Sequence, residues 1–147
     1  MNLPDALAAL TSGLGDAVLG SSEAGNQASL RVQPKRIVEV CERLKAELRM
    51  DYLADLCGAD CGGELRVVYW LFSTTQRQYV QVVAPLDRAN PVIPTVTGVW
   101  PAANWHEREA FDLFGIRFAG HPDLRRILLP DDFEGHPLLK QPEASAP

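Results

Sequence analysis

Apolar residues recur at helical spacing in three stretches of the chain and at strand spacing between them. Leu3, Leu7, Leu10 and Leu14 stand three or four apart around Pro4, which predicts a short amphipathic helix over residues 4–15 that closes near Gly13 and Gly15. Between Ala17 and Gln33, short apolar pieces flank Glu23-Ala24-Gly25-Asn26, and Leu30 and Val32 alternate with polar positions. Two modest strands joined by a hairpin turn are expected there. Pro34 suits a first helical turn, and Ile37, Val40, Cys41, Leu44 and Leu48 follow as one stripe, with Lys35, Arg36, Glu39, Glu42, Arg43 and Glu47 over the remaining surface. A second helix is therefore expected. Met50 to Leu56 reads as a strand, Gly58 to Gly63 as a turn, and Leu65 to Phe72 as a run apolar on both faces, hence a central strand. Ser73 to Arg77 turns into its partner, Gln78 to Ala84.

Proline at 85, 91, 94 and 101 then argues for an irregular connection with at most one helical turn near Thr95 to Val99. Asn104 followed by Glu107 has capping-box spacing, so a third helix should run from Trp105 to about Phe114 and stop at Gly115. From Ile116 to Pro147 the text is turn chemistry with no amphipathic period. Its apolar anchors (Phe118, Leu124, Ile127, Leu128, Leu129, Phe133, Leu138) need a surface, so this segment is expected to lie extended, with the part beyond Leu129 dependent on a partner.

Composition narrows the classes. The chain has 147 residues, 46% hydrophobic and 22% charged, which is the composition of one globular domain. A net charge of -5 supplies no basic field for nucleic acid or an anionic membrane surface. The longest apolar run, Leu65 to Phe72, is interrupted by Arg66 and is strand-length, so no membrane span is expected. The N-terminus lacks a basic region and carries Asp5, which reads as untargeted and cytoplasmic, and three cysteines, an odd number, fit a reducing compartment.

Candidate chemistry is sparse. No G-x-G-x-x-G joins a strand to a helix, and no lysine follows a glycine loop. Cys57 and Cys61 stand four apart, short of a four-ligand site, and Cys41 lies on a helical apolar stripe, where a cysteine behaves as a small hydrophobe. His106-Glu107-Arg108-Glu109-Ala110 begins like a zinc-protease helix, but Ala110 stands where the second histidine belongs; His121 and His136 both precede proline in turns. Glu109 and Asp112, one turn apart, could do acid–base work, yet Arg108 and Asp112 stand at i and i+4, and an ion-paired helix surface is the commoner outcome. Asp131-Asp132-Phe133-Glu134 reads as a solvated acidic turn or a partner surface.

One long motif goes further. Glu107-Arg108-Glu109-Ala110-Phe111-Asp112-Leu113-Phe114-Gly115, followed after residues 116–119 by Gly120-His121-Pro122-Asp123-Leu124-Arg125-Arg126-Ile127-Leu128, resembles the signature of the C subunit of NADH-quinone oxidoreductase, the thirty-kilodalton subunit family of respiratory complex I. Asp131-Asp132-Phe133-Glu134-Gly135-His136-Pro137-Leu138 extends the resemblance and Trp100-Pro101-Ala102-Ala103-Asn104-Trp105 leads into it, so it covers about residues 95–138. It implies an α+β, two-layer domain of helix, two strands, helix and three strands with a mixed or antiparallel sheet and then the motif helix, over residues 1–115, followed by an extended docking arm over 116–147. It also implies a non-catalytic place in the hydrophilic arm of the complex, on the cytoplasmic side of the membrane. The partners would be the quinone-binding large subunit of the 49 kDa type and the iron–sulfur subunits. FMN and Fe–S clusters would sit in partner subunits, with no cofactor in this chain. Glu107, Arg108, Glu109, Asp112, His121, Asp123, Arg125, Arg126, Asp132, Glu134 and His136 would then serve the partner interface. The equivalent subunit of a ferredoxin-dependent quinone reductase or a membrane-bound hydrogenase is the nearest alternative, and a stand-alone hydrolase using Glu107, Glu109 and Asp112 with a histidine is the remote one. After Leu138 the sequence departs from the family's usual arginine, lysine, aspartate and aromatic, reading Leu139-Lys140-Gln141-Pro142.

Overall fold

A computed structural model of the chain describes residues 3–24 and 27–140. In chain order the elements are α1 (Leu3–Leu14), β1 (Val18–Ala24), β2 (Gln27–Val32), α2 (Ile37–Glu47), β3 (Tyr52–Asp60), β4 (Glu64–Ser73), β5 (Gln78–Asp87), β6 (Val92–Pro94), α3 (Ala103–Phe114) and β7 (Arg117–Ala119). The tip of the expected hairpin, Gly25-Asn26, and the divergent tail from Gln141 lie outside the described residues. The strands on either side of that tip pair antiparallel as expected.

Five strands make one mixed sheet in the order β1-β2-β5-β4-β3. Only β2 and β5 run parallel; β1 with β2, β3 with β4 and β4 with β5 are antiparallel. This is the expected α+β class. Leu65, Val67, Tyr69 and Leu71 of β4 are buried in one core with Leu7, Leu10 and Leu14 of α1, Ile37, Val40, Cys41 and Leu44 of α2 and Ala110 of α3. The alternate residues Arg66, Val68, Trp70 and Phe72 are only half-buried, because the helices cover one face. A strand apolar on both sides is thus an interior strand with one open face, and the middle of the sheet is β5, not β4.

Two differences from the sequence reading bear on the site. Strand β3 continues to Asp60 because Leu65 to Val68 supply cross-strand partners for residues 57–60, leaving a turn of only three residues in which Gly62 takes φ +83. And the proline-rich connection holds β6, which pairs parallel with β7 in a second small sheet. Each has three residues, too few for a period to be read. Together they bracket α3, and the bond from Thr95 N–H to the Ala119 carbonyl (2.8 Å) ties the entry of α3 to its exit. α3 lies against β3 so closely that a Cβ on Gly58 would sit 2.6 Å from Phe114 Cδ2.

Candidate partner interface

α3 begins without the expected capping box. Its N-cap is Ala102 and no side chain caps it. Glu107 instead turns inward: Oε1 is hydrogen-bonded to the Thr95 hydroxyl (2.5 Å) and Oε2 accepts from Val96 N–H (2.8 Å). The buried positions of the helix include Ala103, Glu107 and Ala110, one stripe at i, i+4 and i+7, so glutamate occupies a core position. Burial raises its carboxyl from 4.5 to about 7, against the partial opposition of the Thr95 and Val96 bonds.

The next stripe of α3 holds the C-terminal segment. Asp112 is fully buried, and its Oδ1 accepts from Arg126 Nη1 at 2.6 Å. Its Oδ2 accepts three consecutive backbone N–H groups, those of Ile127 (3.2 Å), Leu128 (2.8 Å) and Leu129 (2.9 Å). Burial pushes this carboxyl up, but Arg126 and the three amides outweigh it and hold it below the ordinary aspartate value. Arg108 completes the clasp, donating through Nε to the Arg125 carbonyl (3.1 Å) and through Nη2 to the Arg126 carbonyl (3.0 Å), with its guanidinium over the Trp105 ring. The expected Arg108–Asp112 ion pair does not form. Each group serves residues 125–129 instead, where three amides and two carbonyls take no part in a helix or sheet.

Beyond Leu129, the part expected to depend on a partner, the chain also makes contacts with its own domain. Arg126 Nη2 donates to the Gly135 carbonyl (2.7 Å), Leu138 N–H to the Leu113 carbonyl (3.0 Å) and Arg88 Nη2 to the Lys140 carbonyl (2.9 Å). His136 lies with Nδ1 3.0 Å from the Asp112 carbonyl oxygen. Gly115 makes room for that ring, since a Cβ there would meet it at 2.8 Å, and the residue's φ of +76 favours glycine in any case. Asp60 receives both Arg88 Nη1 (2.5 Å) and Lys140 N–H (2.7 Å), and Arg88 first, then Lys140, holds its carboxyl well below the usual range. Residues 120–140 therefore form a strap, clasped at one end by Asp112 and at the other by Asp60.

The remaining expected residues divide cleanly. His121 has a fully buried side chain, accepting Asp123 N–H at Nδ1 (2.9 Å), with Nε2 3.2 Å from the Asn104 carbonyl oxygen and 4.0 Å from Glu107. Glu109, Asp123, Arg125, Asp132 and Glu134 are exposed, Asp123 and Arg125 pairing with each other at 2.9 Å. The carboxylates of Glu107 and Asp112 go to opposite tasks and that of Glu109 to the surface, so the helix assembles no acid–base pair. Among the described residues no group of three or more His, Cys, Asp or Glu side chains could hold a metal ion, and no helix is long and apolar enough to cross a membrane. Among its charged groups the strap also exposes large apolar side chains: Leu128 is 61% exposed, Leu138 50% and Phe133 40%, with Trp105 of α3 at 60%. Thr95, Asp60 and Arg88 belong to this site too, and sequence reasoning does not find them. Their partners lie 12, 80 and 52 residues away, and no local spacing signals such pairs.

Residues 30–147 match the family described as "Respiratory-chain NADH dehydrogenase, 30 Kd subunit". The chain belongs to this family. Its relatives include the NADH-quinone oxidoreductase C subunit of Roseiflexus sp. (strain RS-1), 49% identical over 136 residues that cover 89% of this chain and 78% of the relative. The NADH-quinone oxidoreductase C 2 subunit of Rhizobium meliloti (strain 1021) is 44% identical over 142 residues, 93% of this chain and 78% of its own. Among solved structures, the trypsin-resistant fragment (1-134) of Nqo5 superposes with a TM-score of 0.72 at 30% identity, covering 84% of this chain and all of that one. A chain of the membrane-bound sulfane sulfur reductase, an archaeal respiratory membrane complex, superposes with a TM-score of 0.73 at 21% identity over 88% of this chain and 77% of its own, a likeness of fold alone. The clasp and the strap both fall inside the matched residues of this 30 Kd family.

Proposed function

We propose that the chain is a non-catalytic structural and assembly subunit in the hydrophilic arm of a proton-translocating NADH:quinone oxidoreductase. FMN and Fe–S clusters would be carried by partner subunits, and this chain would be peripheral to the membrane on its cytoplasmic side, attached through those partners. The observation that carries this reading is the clasp: two buried side chains of α3 are spent on fixing a loop that presents Leu128, Phe133 and Leu138 outward among charged groups. Such apolar groups return roughly 1.5–3 kcal/mol each when fully buried, and a loop already held in place does not lose that gain to ordering on association. Asp131, Asp132 and Glu134, exposed around Phe133, favour a partner surface with basic groups beside an apolar hollow. The quinone-binding large subunit and the iron–sulfur subunits are the partners in this reading.

The identity to NADH-quinone oxidoreductase subunits, and not the fold, favours NADH as donor over ferredoxin or hydrogen, because the same fold also matches a chain of a sulfane sulfur reductase complex. Affinity capture of the tagged chain in mild detergent, with mass spectrometry of what is retained, tests it. A flavoprotein NADH-binding subunit among the partners is the expected result. A nickel–iron hydrogenase large subunit that keeps its metal ligands would transfer the chain to the alternative complex, and recovery of the chain alone would refute an assembly role.

A further inference from the structure

Glu107 sits at the root of the strap in a setting that a permanently charged carboxylate does not fit. Its side chain is fully buried, and among the described residues no lysine or arginine pairs with it. Arg108 beside it is turned to the strap carbonyls. From the strap, His121 faces it at 4.0 Å, but that ring is already engaged, accepting Asp123 N–H at Nδ1 and lying with Nε2 3.2 Å from the Asn104 carbonyl oxygen. From α2 and β4, the groups that face it are the thiol of Cys41 and the hydroxyl of Tyr69, both buried, and both pushed up first by burial. The Tyr69 hydroxyl oxygen has no hydrogen-bond partner among the described residues.

Thr95 makes the arrangement directional. Its hydroxyl lies 2.5 Å from Glu107 Oε1 and 3.1 Å from Thr97 Oγ1, and it accepts Thr97 N–H at 3.1 Å. A hydroxyl has one proton and two lone pairs. If Glu107 carries a proton, it donates to Thr95, Thr95 donates to Thr97 and accepts Thr97 N–H, and the one proton and two lone pairs of Thr95 are matched without a buried charge. If Glu107 is ionised, Thr95 must donate to the carboxylate, Thr97 must reverse, and a full negative charge remains in the core with two donors and no cation.

We propose that Glu107, Thr95 and Thr97 form a proton-operated relay that fastens the root of the strap, tight when Glu107 is protonated and loosened when it ionises. The root is one connected unit: Thr95 N–H holds the Ala119 carbonyl, Val96 N–H holds Glu107, and His121 N–H holds the Phe118 carbonyl at the start of the strap. The carboxyl at about 7, raised above its ordinary 4.5 mainly by burial, sets the exchange near neutral pH. Because the folded value is the higher, the folded state holds the extra proton, so this contribution to stability is full below about pH 4.5 and is lost as pH rises through about 7.

The test is urea unfolding of the full chain at pH values from 4.5 to 8, for the native protein and Glu107→Gln, which keeps an acceptor for Val96 N–H and cannot ionise. The unfolding constant of the native protein, divided by that of Glu107→Gln, should rise about 100-fold over this range, as the shift from 4.5 to about 7 requires. Groups other than Glu107 titrate in both proteins and cancel. In the native protein, amide protection of Thr95, Val96 and His121, corrected for intrinsic exchange, should fall from pH 6 to 8. Parallel stability curves, or protection at these amides that ignores pH, would overturn the relay. If Glu107→Gln does not fold, carboxyl-carbon NMR of the native chain decides: a Glu107 midpoint near 7 supports it and one near 4.5 overturns it.

Discussion

Replacing Asp112 by alanine should free the strap while leaving the sheet and its helices folded. The side chain accepts four hydrogen bonds, one from the Arg126 guanidinium and three from the N–H groups of Ile127, Leu128 and Leu129. Removing one partner of a buried ion pair costs about 3–5 kcal/mol, chiefly because the other charge is left uncompensated. Here the Arg126 side chain is 11% exposed, and it keeps the carbonyls of Asp112 and Gly135 as acceptors, which places the cost at the lower end, about 3 kcal/mol. Each amide left without an acceptor adds about 1–3 kcal/mol unless water reaches it. Leu128 is exposed, so water can take up part of that loss once the segment lifts. The sum exceeds what a loop of roughly twenty residues keeps locally, so the strap should open as a unit instead of passing the whole loss to the core. Trypsin reports this directly, since Arg125 and Arg126 lie at the clasp. The native chain should resist cleavage there, and Asp112→Ala should be cut within the strap while the core of β3, β4 and β5 persists. Equal resistance in both proteins, with urea midpoints that differ by less than about 0.5 kcal/mol in stability, would refute the clasp.

The same geometry fixes four further outcomes. Arg108→Ala should leave the carbonyls of Arg125 and Arg126 to water and increase amide exchange in residues 125–129 without changing the exchange of β4. Gly115→Ala should cost about 1–3 kcal/mol in urea unfolding, because the residue has φ +76 and its Cβ would press on the His136 ring. Arg88→Ala should loosen the far end at Lys140, read as faster exchange of Leu138 to Lys140, with the Asp112 end unaffected. On acidification the stabilising effect of Asp112, whose folded carboxyl is lowered from 3.8, is complete above that value and lost as pH falls through the lower one, so strap amides should lose protection below about pH 3.8 in the native chain and show no such step in Asp112→Asn.

How much of this can be read from the sequence depends on where the partners lie. α1 and α2 follow from their leucine and Ile37–Leu44 stripes, and β4 and β5 from runs that pair residue for residue, because in each case the period is set by neighbours a few residues away. The stop of α3 at Gly115 is legible for the same reason, as a left-handed residue whose N–H returns to Phe111. Glu107 reads as half of a capping box, since Asn104-to-Glu107 spacing says nothing about the amide of Val96 that takes the carboxylate. Helical spacing pairs Arg108 with Asp112, whereas the bare backbone of residues 125–129 competes for both and wins, having no strand or helix to satisfy it. One cue does exist: a glutamate and an aspartate on the buried stripes of a short helix must find donors elsewhere. The strap's return to Asp60 and Arg88 has none, because Asp60 reads as part of the turn from Gly58 to Gly63 and Arg88 as part of the proline-rich connection.

Whether a partner subunit covers the outer side of the strap is tested most directly by hydroxyl-radical footprinting of Leu128, Phe133 and Leu138. Their side chains are 61%, 40% and 50% exposed in the free chain, and Tyr52 on β3, 52% exposed, serves as a reference on the same molecule. Strong protection of all three strap residues is expected when the chain is isolated within its complex, relative to the free chain at equal radical dose. Modification at unchanged rates in both states would contradict the assembly role.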